Sequence, residues 1–327
     1  MLVGPGQEEN MTETPKHVAP TDSQGSGAVC AVIVSYCPDS LRLQALVESV
    51  ALQADRVVIV DNGSPIGALT FLLQLADGVR IKLIEFGENR GIAAAHNAGI
   101  RYAMENAFSY VLLLDHDSRL LPGCVEQLRR ASRRLVESGI KVAAVGPQYN
   151  EETSGQRAPF LRFYRWSFCK IYAQSTSDVI EASILISSGS LIACETLQAV
   201  GLMDETLFID GVDWEWCFRA SALGYRLFGV AAAIMQHSMG DSGIRVLGRT
   251  IPLHSPLRHY YVYRNTVLMC GMAQVPFSWK LHFSLRLIAR FFIYLFLAPQ
   301  RRERCRLIWR GLRDGLQGRH GRIALPV

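Results

Sequence analysis

Asp115 and Asp117 flank one residue in the run Val111-Leu112-Leu113-Leu114-Asp115-His116-Asp117-Ser118. Side chains alternate along an extended chain, so two carboxylates one residue apart aim the same way. Two hard oxygen donors with one aim suit a divalent cation that also carries a substrate diphosphate. The plain alternative is a solvated turn, where Asp is common. A second acidic stretch, residues 207–219 (LFIDGVDWEWCFR), holds Asp210, Asp213 and Glu215. From Asp213 onward its apolar residues have helical spacing, which puts Asp213 near a helix N-terminus. Two readings of Asp213 stand: an N-cap, worth roughly 1 kcal/mol, or a general base held in place by the helix end. Arg219, six residues on, is expected to brace a different acid. His237 ends a short apolar run; it is structural, or a ligand if acids converge on it.

These groups need elements to hold them. Residues 28–36 (AVCAVIVSY) form a continuous apolar run, as a central parallel strand does. Pro38-Asp39-Ser40 then opens a helix with Leu43, Leu46, Val47 and Val50 at helical spacing. Strands are expected at 56–60, 79–85, 110–114 and 141–145, with helices at 69–75, 91–103 and 122–136. Such alternation predicts a doubly wound, mostly parallel α/β sheet with helices on both faces. Ligands of such sheets bind outside the carboxyl ends of the strands, where Asp61 and Asp117 would face one crevice. Residues 151–178, aromatic and basic, are expected to form a long loop or hairpin over that face. Residues 184–192 read as a strand interrupted at Ser187-Ser188-Gly189-Ser190, whose glycine suggests a bulge or a close approach. A short helix at 195–200, closed by Gly201, and a strand at 225–231 complete the body. No G-x-G-x-x-G follows the first strand and no P-loop motif occurs, which argues against a nicotinamide enzyme or a P-loop ATPase. A nucleotide could still be held by carboxylates, with Asp61 on base or ribose and Asp115 and Asp117 on the diphosphate through a metal.

The chain has 327 residues, 49% of them hydrophobic, with a mean hydropathy of +0.14, enough for a sizeable core. Between Lys280 and Arg322 eleven Lys/Arg face two acids, so this segment carries +9 of a net +5 and the remainder is near −4. The eight cysteines form no C-x-x-C pair and read as reduced thiols. Residues 1–27 are polar, lack an apolar signal region and read as a disordered leader, with Met11 a possible second start.

Taken together, the blocks resemble the inverting GT-A glycosyltransferases of family 2, and within them the bacterial rhamnosyltransferases. The matching residues are Val34-Ser35-Tyr36, Val60-Asp61-Asn62-Gly63-Ser64, Asn89-Arg90-Gly91-Ile92-Ala93 with Asn97 and Gly99, and Leu114-Asp115-His116-Asp117-Ser118. They continue through Ser187-Ser188-Gly189-Ser190, Phe208-Ile209-Asp210, Asp213-Trp214-Glu215-Trp216, His237-Ser238-Met239-Gly240-Asp241, 255–261 (SPLRHYY) and Arg264-Asn265. The resemblance spans about residues 28–320, and it implies a GT-A domain over 28–270. It also implies roles. Ser35, Asp61, Asn89, Arg90, Gly91, Asn97 and Asp115 would bind the donor. Asp115 and Asp117, with His237, would hold Mg2+ or Mn2+ on its diphosphate. Asp213 would deprotonate the acceptor hydroxyl. The implied donor is dTDP-L-rhamnose, and the acceptor a lipid or glycolipid: a mono-rhamnolipid, with O-antigen or polysaccharide assembly as the rival. Val212 stands where many relatives carry Glu, which leaves Asp210 as a second candidate base. The Q-x-x-R-W signature of processive synthases is absent, so one sugar per encounter is expected.

The chemistry fits independently. A sugar-nucleotide leaves readily once its diphosphate charge is neutralised by a cation; a carboxylate must then take the acceptor proton during one inverting displacement.

Residues 271–327 read as a basic amphipathic helical tail. His282, Arg286 and Arg290 recur on one face, and Leu285, Ile288, Phe292, Leu295 and Phe296 on the other. Such a helix either lies on the anionic inner face of the cytoplasmic membrane, with Arg301, Arg302, Arg304, Arg306, Arg310 and Arg313 toward lipid, or caps the domain. The tail lacks a recognised nucleic-acid module, so no nucleic-acid partner is expected. A catalytically inactive sugar-nucleotide-binding module at a membrane is the alternative from another class; both Asp115-x-Asp117 and Asp213 argue against it.

Overall fold

The computed structural model describes residues 27–76, 80–151, 157–237, 243–246 and 249–324. The expected leader therefore falls, except for Gly27, outside the described residues. In chain order the first half runs β1 (Val29–Ser35), α1 (Ser40–Ala51), β2 (Arg56–Asp61), α2 (Ile66–Leu75), β3 (Ile81–Glu85), α3 (Ile92–Glu105), β4 (Tyr110–Asp115), β5 (Ser118–Leu120), α4 (Cys124–Glu137) and β6 (Val142–Glu151). The second half adds β7 (Phe160–Phe163), β8 (Phe168–Ile171), β9 (Val179–Ala182), β10 (Leu191–Ala193), α5 (Cys194–Val200), α6 (Val212–Ala222), β11 (Arg226–His237), β12 (Gly243–Val246), β13 (Arg249–Pro252), α7 (Pro256–Gly271), α8 (Phe277–Leu297) and α9 (Arg301–Leu316).

The sheet order is β3-β2-β1-β4-β10-β6-β11-β5, with β9 also paired to β11. β3, β2, β1 and β4 are parallel neighbours, as are β6 and β11. The chain winds outward from β1 through β2 and β3, then returns to place β4 on β1's other side. Strand order thus reverses between β1 and β4, the point where such sheets hold ligands.

Local chemistry explains the elements. All seven residues of β1 are buried, because helices cover both faces of the sheet. Asp39 caps α1, its Oδ1 accepting from the Arg42 N–H at 3.0 Å, and the expected Leu43, Leu46, Val47 and Val50 are its buried positions. α3 lies close on the sheet because its contact residues are small. A Cβ on Gly99 would come within 2.2 Å of the Val32 side chain.

One expectation is revised, one is filled in and one element is new. The apolar run 184–192 yields only the three residues of β10, and it is antiparallel to β4 and β6. Its serines explain why: the Ser190 hydroxyl donates back to the Ile186 carbonyl at 2.6 Å, closing a turn before the strand starts. Residues 151–178 supply the β7–β8 hairpin, whose Phe163 packs on Phe218 of α6 and whose Trp166 packs on Phe277 of α8. β5 is a further strand, too short to carry a periodic signal.

The C-terminal helices are packed on the body. A Cβ on Gly311 would sit 2.5 Å from the Tyr260 carbonyl oxygen, and one on Gly315 2.9 Å from that of Arg264. These glycines let α9 lie directly on α7. Arg304, expected toward lipid, is buried instead and donates to the Pro299 and His254 carbonyls.

Candidate active site

Four strand ends and one helix N-terminus build the site. Ser35 and Asp61 are register partners at the ends of β1 and β2, so their side chains leave the same face of the sheet. Asp61 Oδ2 accepts from the N–H groups of Gly63 and Ser64 at 3.1 and 2.9 Å, an Asx turn that fixes the carboxylate. Its Oδ1 and the Ser35 hydroxyl are buried with no hydrogen-bond partner among the described residues. Buried polar atoms are rarely left so, and two side by side mark a place for a ligand's polar edge.

The next loop is tied to this one. Asn62 Oδ1 accepts from the Arg90 N–H at 2.8 Å, and Asn89 Oδ1 accepts from the Gly91 N–H at 3.0 Å. The Arg90 guanidinium lies over the Phe86 ring. Gly91 has φ +90°, and a Cβ there would stand 2.6 Å from the Phe208 carbonyl oxygen, which itself accepts from the Ile92 N–H at 2.8 Å. The loop carrying Asn89-Arg90-Gly91 is therefore locked onto the loop that leads to Asp213. Gly91→Ala meets both left-handed backbone strain and a backbone clash, and is expected to cost about 3 kcal/mol. Gly87, at φ +69° with open space around it, supplies the control; its alanine variant is expected to cost about 1 kcal/mol. Urea midpoints of the two variants check this.

Asn97 departs from expectation. It is 1% exposed, and its amide is fully used inside the fold. Nδ2 donates to the Met203 carbonyl and to Glu205 Oε1, and Oδ1 accepts from the Met203 N–H. Asn97 fastens α3 to the segment preceding Asp213, and contact with a donor is not its role in this geometry.

Asp115 closes β4 beside Val34 of β1. Its N–H donates to Ser188 Oγ at 3.0 Å, and Ser188 Oγ is 2.7 Å from Ser118 Oγ. The serine turn thus clamps the strand end that bears Asp115, and it flanks the turn holding His116 and Asp117. Gly189 (φ +85°) approaches Pro147 and Met235 rather than a ligand. The backbone of His237 pairs with Ser118 in register, which puts it beside the same turn. The His237 side chain, like residues 238–241 of its block, lies outside what is described. Among the described residues no group of three or more His, Cys, Asp or Glu converges to hold a metal. A cation at this edge would draw on Asp115 and Asp117 and take its other ligands from a diphosphate and water, the usual arrangement for Mg2+.

Asp213 arrives from the opposite direction. It lies in the first turn of α6, but the N-cap is Gly211, so the capping reading is corrected. Asp213 Oδ1 accepts instead from the adjacent Trp214 N–H at 2.9 Å. The loop before it is strained: Phe208 and Asp210 both have positive φ, 65° and 63°. Helix α7 holds that strain in place. Asn265 Nδ2 donates to the carbonyls of Leu207, Ile209 and Asp210, and the buried Arg264 donates to that of Leu207. Arg258 grips both oxygens of the Asp210 carboxylate at 3.1 and 3.2 Å. Glu215, beneath, is braced by Arg219, as expected for that arginine.

Burial pushes the Asp213 carboxyl up from 3.8 to about 7, and the negative charges of Asp115 and Asp210 push the same way against the Trp214 N–H. Asp115 and the Asp210–Asp213 pair, nearly a hundred residues apart in the chain, therefore share one neighbourhood, and Asp213 is poised near neutrality. Between pH 4 and 7 the folded protein keeps a proton at Asp213 that the unfolded chain has lost, so this group's contribution to stability falls as pH rises through that window. Relative to wild type, Asp213→Asn should gain about 4 kcal/mol between pH 4 and pH 8 in the metal-free protein. Thermal melts across that range check the sign.

Sequence reasoning quoted Arg264 and Asn265 without assigning them a task, and it gave Ser188 none. Their partners are 56–58 and 73 residues away, as the bonds to Leu207, Ile209 and Asp115 show; no local spacing encodes that. A surface cleft of about 340 Å³ lies elsewhere, lined by Arg162, Glu181, Ser221, Tyr225 and Arg226.

Residues 30–201 match glycosyl transferase family 2. The dTDP-rhamnosyl transferase RfbF of Shigella flexneri is 34% identical over 249 residues, which cover 76% of this chain and 81% of that protein. Among solved structures, S. aureus TarS 1-349 in complex with UDP-GlcNAc superposes with a TM-score of 0.54 at 15% identity, over 89% of this chain and 81% of that one. GalNAc-T7 with UDP, GalNAc and Mn2+ gives a TM-score of 0.53 at 14% identity, over 83% of this chain. The chain spans 58% of the length of that structure. At these identities the two structures speak to the fold alone.

Proposed function

The chain belongs to glycosyl transferase family 2, and from that premise we propose that it transfers L-rhamnose from dTDP-L-rhamnose, with inversion, to a hydroxyl of a lipid-linked acceptor. The donor is supported by the similarity to a dTDP-rhamnosyl transferase over three quarters of the chain. A mono-rhamnolipid and a growing O-antigen or polysaccharide chain are both acceptors of this class, and the similarity to RfbF gives the first no advantage over the second. The observation that supports the catalytic reading is that Asp213 lines one pocket with Ser187 and Ser190 of the serine turn that clamps Asp115, where burial and the Asp115 charge both raise its carboxyl.

The residues divide the work as follows. Ser35 and Asp61, with their unpartnered buried oxygens, receive the polar edge of the base or ribose. The backbone of Asn89-Arg90-Gly91 shapes the wall beside them. A Mg2+ or Mn2+ ion held by Asp115 and Asp117, with His237 beside their turn, would neutralise the diphosphate and make it a better leaving group. Asp213 takes the proton of the acceptor hydroxyl as its oxygen bonds to the anomeric carbon; the bond from that carbon to the diphosphate oxygen breaks, releasing dTDP. Asp210 is the poorer candidate, because both its carboxylate oxygens are already engaged by Arg258. One displacement on the face opposite the leaving group inverts the anomeric centre. With a lipid-linked acceptor, the protein works at the inner face of the cytoplasmic membrane.

The test is a panel of sugar-nucleotides offered with Mg2+ while nucleotide diphosphate release is followed. The proposal expects release from dTDP-L-rhamnose above that from UDP- and GDP-sugars. Equal rates across the panel, or preference for a UDP-sugar, would overturn the donor assignment.

A further inference from the structure

α8 presents its apolar face to the outside. Phe277, Leu281, Leu285, Ile288, Phe292 and Phe296 follow one another at three- or four-residue steps along one side, and each is 40–68% exposed. The row is about 28 Å long at helical rise. Its opposite side is fixed: Trp279, Leu287 and Tyr294 are buried, and Trp279 stacks on Phe283. The exposed row is therefore a property of how the helix is packed.

Two chain-distant segments extend it. Trp166, at the tip of the β7–β8 hairpin and 63% exposed, meets Phe277 edge to face with ring centres 5.1 Å apart. Trp309 of α9, also 63% exposed, meets Phe291 of α8 at 6.3 Å. Beyond the last turn of α8 come the exposed Arg301, Arg302 and Arg306. Cations at the first turn of a helix work against its dipole, so α9's own stability does not explain Arg301 and Arg302. The opposite, buried side of α8 rests on the helix that carries Asp213, since Trp214 packs on Trp279 and Phe283.

We propose that this surface seats the protein on an anionic lipid bilayer, with α8 lying in the plane of the headgroups. It deepens, and for its purpose rests on, the lipid-linked acceptor of the proposed function. A continuous apolar row with tryptophans at its margin and arginines at one end is the pattern of a helix that rests in an interface. Among the described residues no helix is long and apolar enough to cross a membrane, so the helix lies on the bilayer. Charge selects the occupant. The segment from Lys280 to Arg322 carries eleven basic and two acidic residues. A second copy would bring like charge against like, whereas an anionic leaflet is complementary. An acceptor anchored in that leaflet would then share one surface with the enzyme.

The full-length protein is sedimented with vesicles of phosphatidylcholine alone and of phosphatidylcholine with phosphatidylglycerol in equal parts, while dTDP-L-rhamnose binding is titrated in parallel. Wild type should favour the anionic vesicles by at least about a hundredfold, and more weakly as salt rises. Ile288→Ser with Phe292→Ser should lower the partition coefficient at least about tenfold. Arg301→Gln with Arg302→Gln and Arg306→Gln should do so by about a hundredfold, toward the neutral-vesicle value. All these residues are exposed, so donor binding and melting temperature should hold in both variants. Donor binding without vesicle binding would overturn the docking surface and leave the transferase reading intact. A stable oligomer that buries α8 and ignores vesicles would overturn it as well. Vesicle binding without donor binding would instead uphold the surface and remove the transferase reading.

Discussion

Asp213→Asn is expected to lower kcat by about a thousandfold while leaving the fold and donor affinity in place. The amide matches the carboxylate in shape and can still accept from the Trp214 N–H, but it cannot take the acceptor's proton. Its loss should be felt in the chemical step alone, so kcat and kcat/KM fall together. The comparison with Asp210→Asn separates the two candidate bases. That change breaks the paired grip of Arg258 and loosens a strained loop. It should therefore lower stability by about 2 kcal/mol, with activity falling as a consequence of a displaced Asp213. If Asp213→Asn keeps a tenth or more of wild-type turnover while Asp210→Asn keeps none at equal folded fraction, the base is Asp210.

The second large effect concerns the donor. Asp115→Asn and Asp117→Asn should each weaken metal-dependent binding of dTDP by about a hundredfold, while metal-free binding through Ser35 and Asp61 persists at its weak level. Asp115→Asn should do something more. The Asp115 charge helps hold the Asp213 carboxyl at about 7, so its removal should move the Asp213 titration to lower pH in the metal-free protein. Calorimetric titration of dTDP with and without Mn2+ reads the first effect, and carboxyl carbon chemical shifts across pH read the second. Unchanged dTDP affinity in both variants would detach the Asp115–Asp117 pair from the donor.

The sheet's parallel half was legible because it is buried on both faces: β1, β2 and β4 are continuous aliphatic runs, and each ends in a polar residue that the site uses. α1 declared itself through its cap and spacing. β10 and β5 were not legible. Three residues carry no period, and their strand character comes from neighbours on β4 and β11. Within the site, Asp115 and Asp213 could be nominated by charge and position. The fate of Asp213 as base or cap could not, because Gly211 takes the cap only through a left-handed backbone that the loop's packing imposes. Asn97 shows the converse. An asparagine in a motif reads as a ligand, yet its amide spans more than a hundred residues to Met203 and Glu205. The tail shows a third limit. Periodicity identified both faces of α8 but could not say which faces inward, since that depends on Trp214 of α6 meeting Trp279 and Phe283 of α8.

A crystal structure of the protein with dTDP and Mn2+ tests the central claim most directly. The anomalous signal of manganese should lie at bonding distance from a carboxylate of Asp115 or Asp117 and from the diphosphate, with the open side of the complex turned toward Asp213. Manganese bound away from that pair, or a wall of protein between the diphosphate and Asp213, would contradict it.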